Sequence, residues 1–332
     1  MRRLEMLNLK VCQLSNFLSR LLFFISQMNV DEIYDRIQRC PYYFDEDDLK
    51  EFDSENSILI IDYEDGDLLC CDTPMIAWIR KWHTLPQKEL LHNPLIRDAS
   101  NRTPAMVWIE ECKSLPPTEL LHDPEEYDIW GYTCEMLWII YCNSPIPRIL
   151  LHDSLIKNKE GFTCAMIWIQ ERKSLPPKEL LHETTIQNKD GFTCAMLWII
   201  NCNSLPPEEI RHKKSIKSFY SMDTCASLWI EHCHTLPPKE ILHDKNKRLM
   251  CNHTLAMYWI EYCDGIPPPE LLHDPELKTT NGETCAMKWI MYHKTLPPKE
   301  LLHDPTVRTN YGWTCADIWK KFIDDNVPDE LL

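Results

Sequence analysis

TCAMIWIQERKSLPPKELLH, residues 163–182, returns thirty residues later as TCAMLWIINCNSLPPEEIRH, residues 193–212. A fixed period of this kind decides the architecture before any single element is assigned, because each unit of a repeat array buries its apolar face only against its neighbours. Working outward, the same Thr stands at Thr73, Thr103, Thr133, Thr163, Thr193, Thr224, Thr254, Thr284 and Thr314, every interval being 30 residues except one of 31. A Trp follows five residues later in all nine copies, from Trp78 to Trp319. The chain is therefore an array of nine units over residues 73–332.

Within a unit, periodicity separates two segments. After the Thr, apolar residues recur at offsets of two, three, five, six and nine, one broad face of an amphipathic helix. Thr is a good N-cap, and Pro74 and Pro104 suit the first helical position, where a missing N–H costs nothing. The second segment, as at Thr295 to Pro305, begins with paired prolines and ends in Leu-Leu-His-Asp-Pro. It predicts a short second helix whose Leu pair faces the core and whose His closes the end. The expected fold is all-α, a helical-repeat solenoid of stacked helix-turn-helix units.

The unit resembles the ankyrin repeat. The shared features are a Gly two residues before the Thr, as in Gly161-Phe162-Thr163, a helix opening Thr-Pro or Thr-Cys, and a second segment ending Leu-Leu. It is most similar to the divergent ankyrin-like arrays abundant in some parasitic protists, and the likeness covers about residues 65 to 332. Trp and Ile stand here where that family usually has small Ala, and Met stands where it has His; the family's unit is about 33 residues. The resemblance implies stacked helical pairs.

Composition excludes several classes of function. Of 332 residues only 7 are Gly, which leaves no material for a glycine-rich phosphate loop, and the formal charge of −16 opposes a phosphate backbone. Nucleic acid is not an expected partner. Of 16 cysteines, six directly follow the Thr (Cys134, Cys164, Cys194, Cys225, Cys285, Cys315) and five stand nine residues after it. Eight residues apart on a helix is too far for one disulfide or one metal, so they read as small reduced thiols. Sequons at Asn101 and Asn252 use the capping Thr itself. These features place the protein inside the cell, most simply in the cytoplasm.

The ends depart from the rule. Residues 1–28 read as an amphipathic segment without a membrane span, and 29–72 as an acidic, degenerate cap in which Ser57 to Ile61 occupies the place of a second repeat helix. In the last copy Asp317 and Lys320 replace Met and Ile, the polar outer face that a terminal cap requires.

The Trp column reads as a core ladder, with a row of exposed stacking rings as the sharper alternative. The column His92, His122, His152, His182, His212, His243, His273, His303 reads as helix capping, because stacked units on the order of 10 Å apart are too distant to share a metal. No nucleophile elbow, zinc-protease or nucleotide motif occurs, so no catalytic residue, cofactor or metal is expected. What varies is left to carry specificity. The helix positions seven and eight residues after the Thr (Glu110, Glu111, Tyr141, Glu231, Glu261, Tyr262, Tyr292) and the basic, aromatic loop Arg211, Lys213, Lys214, Lys217, Phe219, Tyr220 are the candidate partner-binding residues. The expected function is a protein-interaction scaffold or adaptor; the alternative is a structural or self-associating array with no specific client.

Overall fold

The computed structural model describes residues 59–61, 70–72, 74–86, 91, 94–214, 216–219 and 222–332, which fall into two compact units divided between Leu150 and Leu151. The first unit holds strands β1 (Leu59–Ile61) and β2 (Cys70–Asp72) and helices α1 (Pro74–Trp82), α2 (Pro104–Cys112) and α3 (Cys134–Tyr141). The second holds α4 (Cys164–Arg172), α5 (Cys194–Cys202), α6 (Cys225–Cys233), α7 (Leu255–Tyr262), α8 (Cys285–His293) and α9 (Cys315–Phe322). In each unit consecutive helices pack in series. The fold is an all-α helical-repeat solenoid. The expected segment 1–28 lies outside the described residues. So does most of 29–72, but Leu59–Ile61, where a second repeat helix was expected, is a strand paired antiparallel to Cys70–Asp72.

Each described repeat helix starts where the sequence places it. The Thr hydroxyl accepts the backbone N–H three residues on, at 3.3 Å from Met106 to Thr103 and likewise from Met136, Met166, Met196, Ser227, Met257, Met287 and Asp317. The helices end after eight or nine residues. In six copies the next residue (His83, Lys113, Lys173, Asn203, His234, Lys294) turns left-handed, and its N–H closes on the Ile carbonyl four residues back.

The second segment differs from expectation. In place of an α-helix there is a single 3₁₀ turn, as at Thr118–Leu120, Lys178–Leu180 and Lys299–Leu301. Two prolines remove the N–H groups that would open a helix, and the backbone is extended again one residue after the turn, at Leu121, Leu181 and Leu302. That leaves room for two bonds, Leu120 N–H to the Pro117 carbonyl at 3.0 Å and Leu121 N–H to the Thr118 carbonyl at 3.3 Å, repeated at Leu180 and Leu181 and at Leu301 and Leu302. In the pairs that begin at Leu120, Leu150, Leu180, Leu271 and Leu301 the first Leu is buried and the second only half so.

The core is a ladder of Ala, Met and Ile from the helices with this Leu between them. Met106, Ile109 and Leu120 in the first unit, and Met287 and Ile290 in the second, have no exposed surface. Each such side chain contributes about 1.5–3 kcal/mol of burial. The Trp column sits at its margin. Trp78, Trp108, Trp138, Trp289 and Trp319 are buried, but Trp168, Trp198, Trp229 and Trp259 only partly. In most copies the indole N–H donates to the hydroxyl six residues on, as Trp108 to Ser114 and Trp289 to Thr295, both 3.0 Å. The Trp thus seats the turn that leaves its own helix.

The loops between copies form a second ladder. The N–H of Lys189 donates to the Glu160 carbonyl, that of Phe219 to Asp190 and that of Asn310 to Asn281, at 2.9–3.0 Å. This approach explains one glycine. At Gly191, φ is +86° and a Cβ would stand 2.2 Å from the Phe219 nitrogen, so only glycine fits.

Candidate interaction surface

The repeated His is held from both sides. In seven copies Nδ1 lies 2.7–2.9 Å from the carbonyl of the following residue, from His122 with Asp123 to His303 with Asp304. A carbonyl only accepts, so Nδ1 carries the proton and Nε2 of the neutral ring accepts. Its donor is the N-capping Thr of the same copy: Thr103 to His122 and Thr254 to His273 at 2.6 Å, Thr163 to His182 and Thr284 to His303 at 2.7 Å. One hydroxyl therefore caps the α-helix and ties it to the end of the unit. The His does not close a second helix, because there is none to close. The spacing of nineteen residues between Thr and His was present in the sequence as the signal.

The Cys that opens the next helix completes this junction, its Sγ 3.5–3.8 Å from Nε2 in Cys134, Cys164, Cys194, Cys225, Cys285 and Cys315. Burial pushes the thiols of Cys134, Cys194, Cys225, Cys285 and Cys315 up to about 12 and holds His122, His182, His212, His243 and His273 below the ordinary imidazole value. Such thiols are poor nucleophiles.

The varying helix positions lie at the surface and carry side-chain networks. In the first unit Arg80 pairs with Asp98 at 3.0 Å and Glu111 at 3.5 Å, while Arg102 pairs with Asp98 at 3.1 Å and with Glu110. Tyr141 donates to Glu110 at 3.3 Å. Each of these acids has an arginine.

In the second unit, Glu261 on α7 accepts from His253 at 3.1 Å and from Lys288 on α8, which also lies 3.8 Å from Glu283. Burial would raise the Glu261 carboxyl, but these two hydrogen bonds and charges hold it below its usual range. Tyr262 is 40 % and Tyr292 53 % exposed; Tyr262 stacks on Tyr258 at 6.0 Å, and the Lys288 ammonium lies over the Tyr292 ring. On α6 the pattern changes. Asp223 is buried, accepting from Ser227 and Tyr258 at 3.1 Å each, and the Glu231 carboxylate has no hydrogen bond or ion pair among the described residues. Burial raises its carboxyl, the charge of His232 opposes this, and Asp223 adds to it.

The basic loop is less available than its composition implies. Lys214 donates to the Lys239 carbonyl and Lys217 to the Arg248 carbonyl, and Arg211 is half-buried. Lys213 is exposed, and Phe219 is 59 % exposed. Tyr220 lies outside the described residues. Lys217 belongs to a column in which a long side chain reaches the backbone carbonyl of the next copy: Lys157 to Gln187, Gln187 to Lys217, Arg248 to Lys278 and Lys278 to Arg308.

Sequence reasoning found the acids and tyrosines of this surface but missed Asp223, His253, Tyr258 and Lys288, which decide their state. The signal was available: the residue just before the Thr (Arg102, Asp223, His253) lies against the acid seven residues after it. Also missed were exposed aromatics at the loops, Tyr127 at 55 %, Trp130 at 50 % and Tyr311 at 73 %.

Among the described residues no helix is long and apolar enough to cross a membrane. A scan against protein-family models finds no match for this chain, and a search of the curated proteins finds no relative.

Proposed function

We propose that the chain is a protein-interaction scaffold whose partner docks on the outer faces of α6, α7 and α8, rather than an enzyme or an array without a client. One observation carries this reading: the departures from the repeat coincide on one face, where exposed Tyr262 and Tyr292 stand above the polar groups Glu231, Glu261 and Lys288. Residues needed only for stacking recur in every copy, whereas these do not. Tyr is also favoured at interface hot spots, since it offers large contact area at low entropic cost. The Gly-x-Thr opening and Leu-Leu ending support an ankyrin-like mode, in which neighbouring copies present one surface. The thiol-rich composition favours the cytoplasm as its location.

The test is proximity labelling in the native cell with the full chain and with Tyr262→Ala/Tyr292→Ala. The reading expects a set of labelled proteins that is lost in the double variant while the melting curve stays cooperative. Labelling identical in both would remove this face from consideration.

A further inference from the structure

Three acids stand seven residues after the capping Thr: Glu110, Glu231 and Glu261. For two of them the array itself supplies cations. Glu110 is ion-paired with Arg102 and Glu261 with Lys288, and His253, like Arg102 the residue immediately before the Thr, donates a hydrogen bond to Glu261. In the copy that carries Glu231 this place is taken by another acid, Asp223, and the residue equivalent to Lys288 is Tyr258. Among the described residues the pattern is therefore a site for a positive charge with the positive charge missing.

The surroundings specify what would fit. Glu231 is only half-buried, so its carboxylate can be reached, while the buried Asp223 deepens the negative field behind it. Tyr262, exposed and stacked on Tyr258, presents an aromatic ring beside the acids; its hydroxyl is pushed above the usual phenol range by burial and by the charges of Glu231, Glu261 and Asp223. A carboxylate next to an open aromatic face suits a planar guanidinium, which pairs with the one and lies on the other, better than a compact ammonium.

Resting on the scaffold reading above, we propose that the α6–α7 face docks a basic segment of the partner protein, one arginine of which pairs with Glu231 and lies against Tyr262. Charge complementarity selects this occupant. Partner binding supplies to the copy around α6 the cation that Arg102 supplies to Glu110 and Lys288 to Glu261.

The experiment titrates the full chain with a fluorescein-labelled Gly-Ser peptide carrying several arginines, read by fluorescence anisotropy, beside its lysine and citrulline counterparts. The arginine peptide should bind best and the uncharged citrulline peptide least. Glu231→Gln and Tyr262→Ala should each weaken binding about threefold, as expected for one exposed ion pair or one cation–π contact. Glu300→Gln, an exposed acid in the turn Lys299–Leu301, should change nothing. Glu231→Gln is isosteric and removes a repulsion, so its melting temperature should equal or exceed the wild type, which separates lost binding from lost folding. Equal binding of the citrulline peptide, or equal effects of Glu231→Gln and Glu300→Gln, would overturn the proposal. Self-association abolished by Glu231→Gln would also overturn it, by assigning the face to a second copy. Cellular labelling that depends on Tyr262 and Tyr292 but not on Glu231 would sink the basic partner and leave the scaffold reading intact.

Discussion

The outer faces of α2 and α6 are built from equivalent repeat positions, yet one is electrically complete and the other is not. On α2, Glu110 and Glu111 each meet an arginine, and the buried Asp98 meets two. On α6, Glu231 faces the charge of Asp223 at a half-buried surface and has no Lys or Arg partner among the described residues. The difference shows that the array can neutralise these positions, as it does on α2. An acid left unmatched costs stability, and the proposed partner arginine would offset that cost.

The largest expected effect is one that both regions share and that would erase their difference. In five copies burial depresses the pKa of the junction His and favours its neutral form in the fold. For a depressed pKa the folded chain binds fewer protons than the unfolded chain between the two values. Stability is thus fully present above the ordinary 6.5 and falls as pH drops below it. Thermal melts from pH 7.5 to 5 should show a progressive loss with no matching change above pH 7.5. His273→Gln should flatten part of that slope; an unchanged slope would mean that the Thr–His junction does not govern it.

Next in size is the buried cation of the second unit. The Lys288 side chain is 4 % exposed and that of Glu261 15 %. Removing one partner of such a pair leaves the other buried and unmatched, so Lys288→Met should cost about 3 kcal/mol. Adding Glu261→Gln should recover part of it. Urea unfolding of the single and double variants measures the coupling, and simple additivity would show that the pair is not one.

Arg102→Met probes the same logic in the first unit. Arg102 is 14 % exposed and serves both Asp98, whose side chain is 3 % exposed, and Glu110. Because Arg80 remains on Asp98, the expected cost is smaller, about 2 kcal/mol. A loss below about 0.5 kcal/mol would be that of an ordinary surface pair. It would undo the contrast between α2 and α6.

How much of this was legible in the sequence follows from what a period can and cannot encode. Thr103, Trp108, Ile109 and Leu120 recur because every copy needs a cap, a seat for its turn and a core, so alignment of the copies found the solenoid and its helix starts. The second segment was misjudged because Leu-Leu is apolar whether it lies on a helix or follows one 3₁₀ turn, and only the consequences of paired prolines decide between them. His122 was assigned to the right end of the unit but to the wrong partner, since Thr103 is nineteen residues distant and local capping was the nearer explanation. On the surface, Glu231 and Tyr262 were visible as variable positions. That Glu231 differs from Glu110 was not, because the deciding residue, Asp223, belongs to the preceding loop and meets it only after folding.

The smallest expected effect separates the two acids of α6 and α7 by sign. Glu261 has a depressed pKa, so its contribution is present above the ordinary 4.5 and is lost as pH falls through the folded value. Glu231 has a raised pKa, so its ionised form opposes folding, and that penalty appears as pH rises past the ordinary 4.5. At pH 7, Glu261→Gln should therefore destabilise, whereas Glu231→Gln should gain a few tenths of a kcal/mol, about 0.3 after allowance for solvent screening. At pH 4 the gain from Glu231→Gln should vanish, because the wild-type acid is then protonated. Paired denaturation curves at the two pH values measure it. A Glu231→Gln variant that is less stable than wild type at pH 7 would mean that the acid has a cation in the free protein, and the asymmetry between α2 and α6 would disappear.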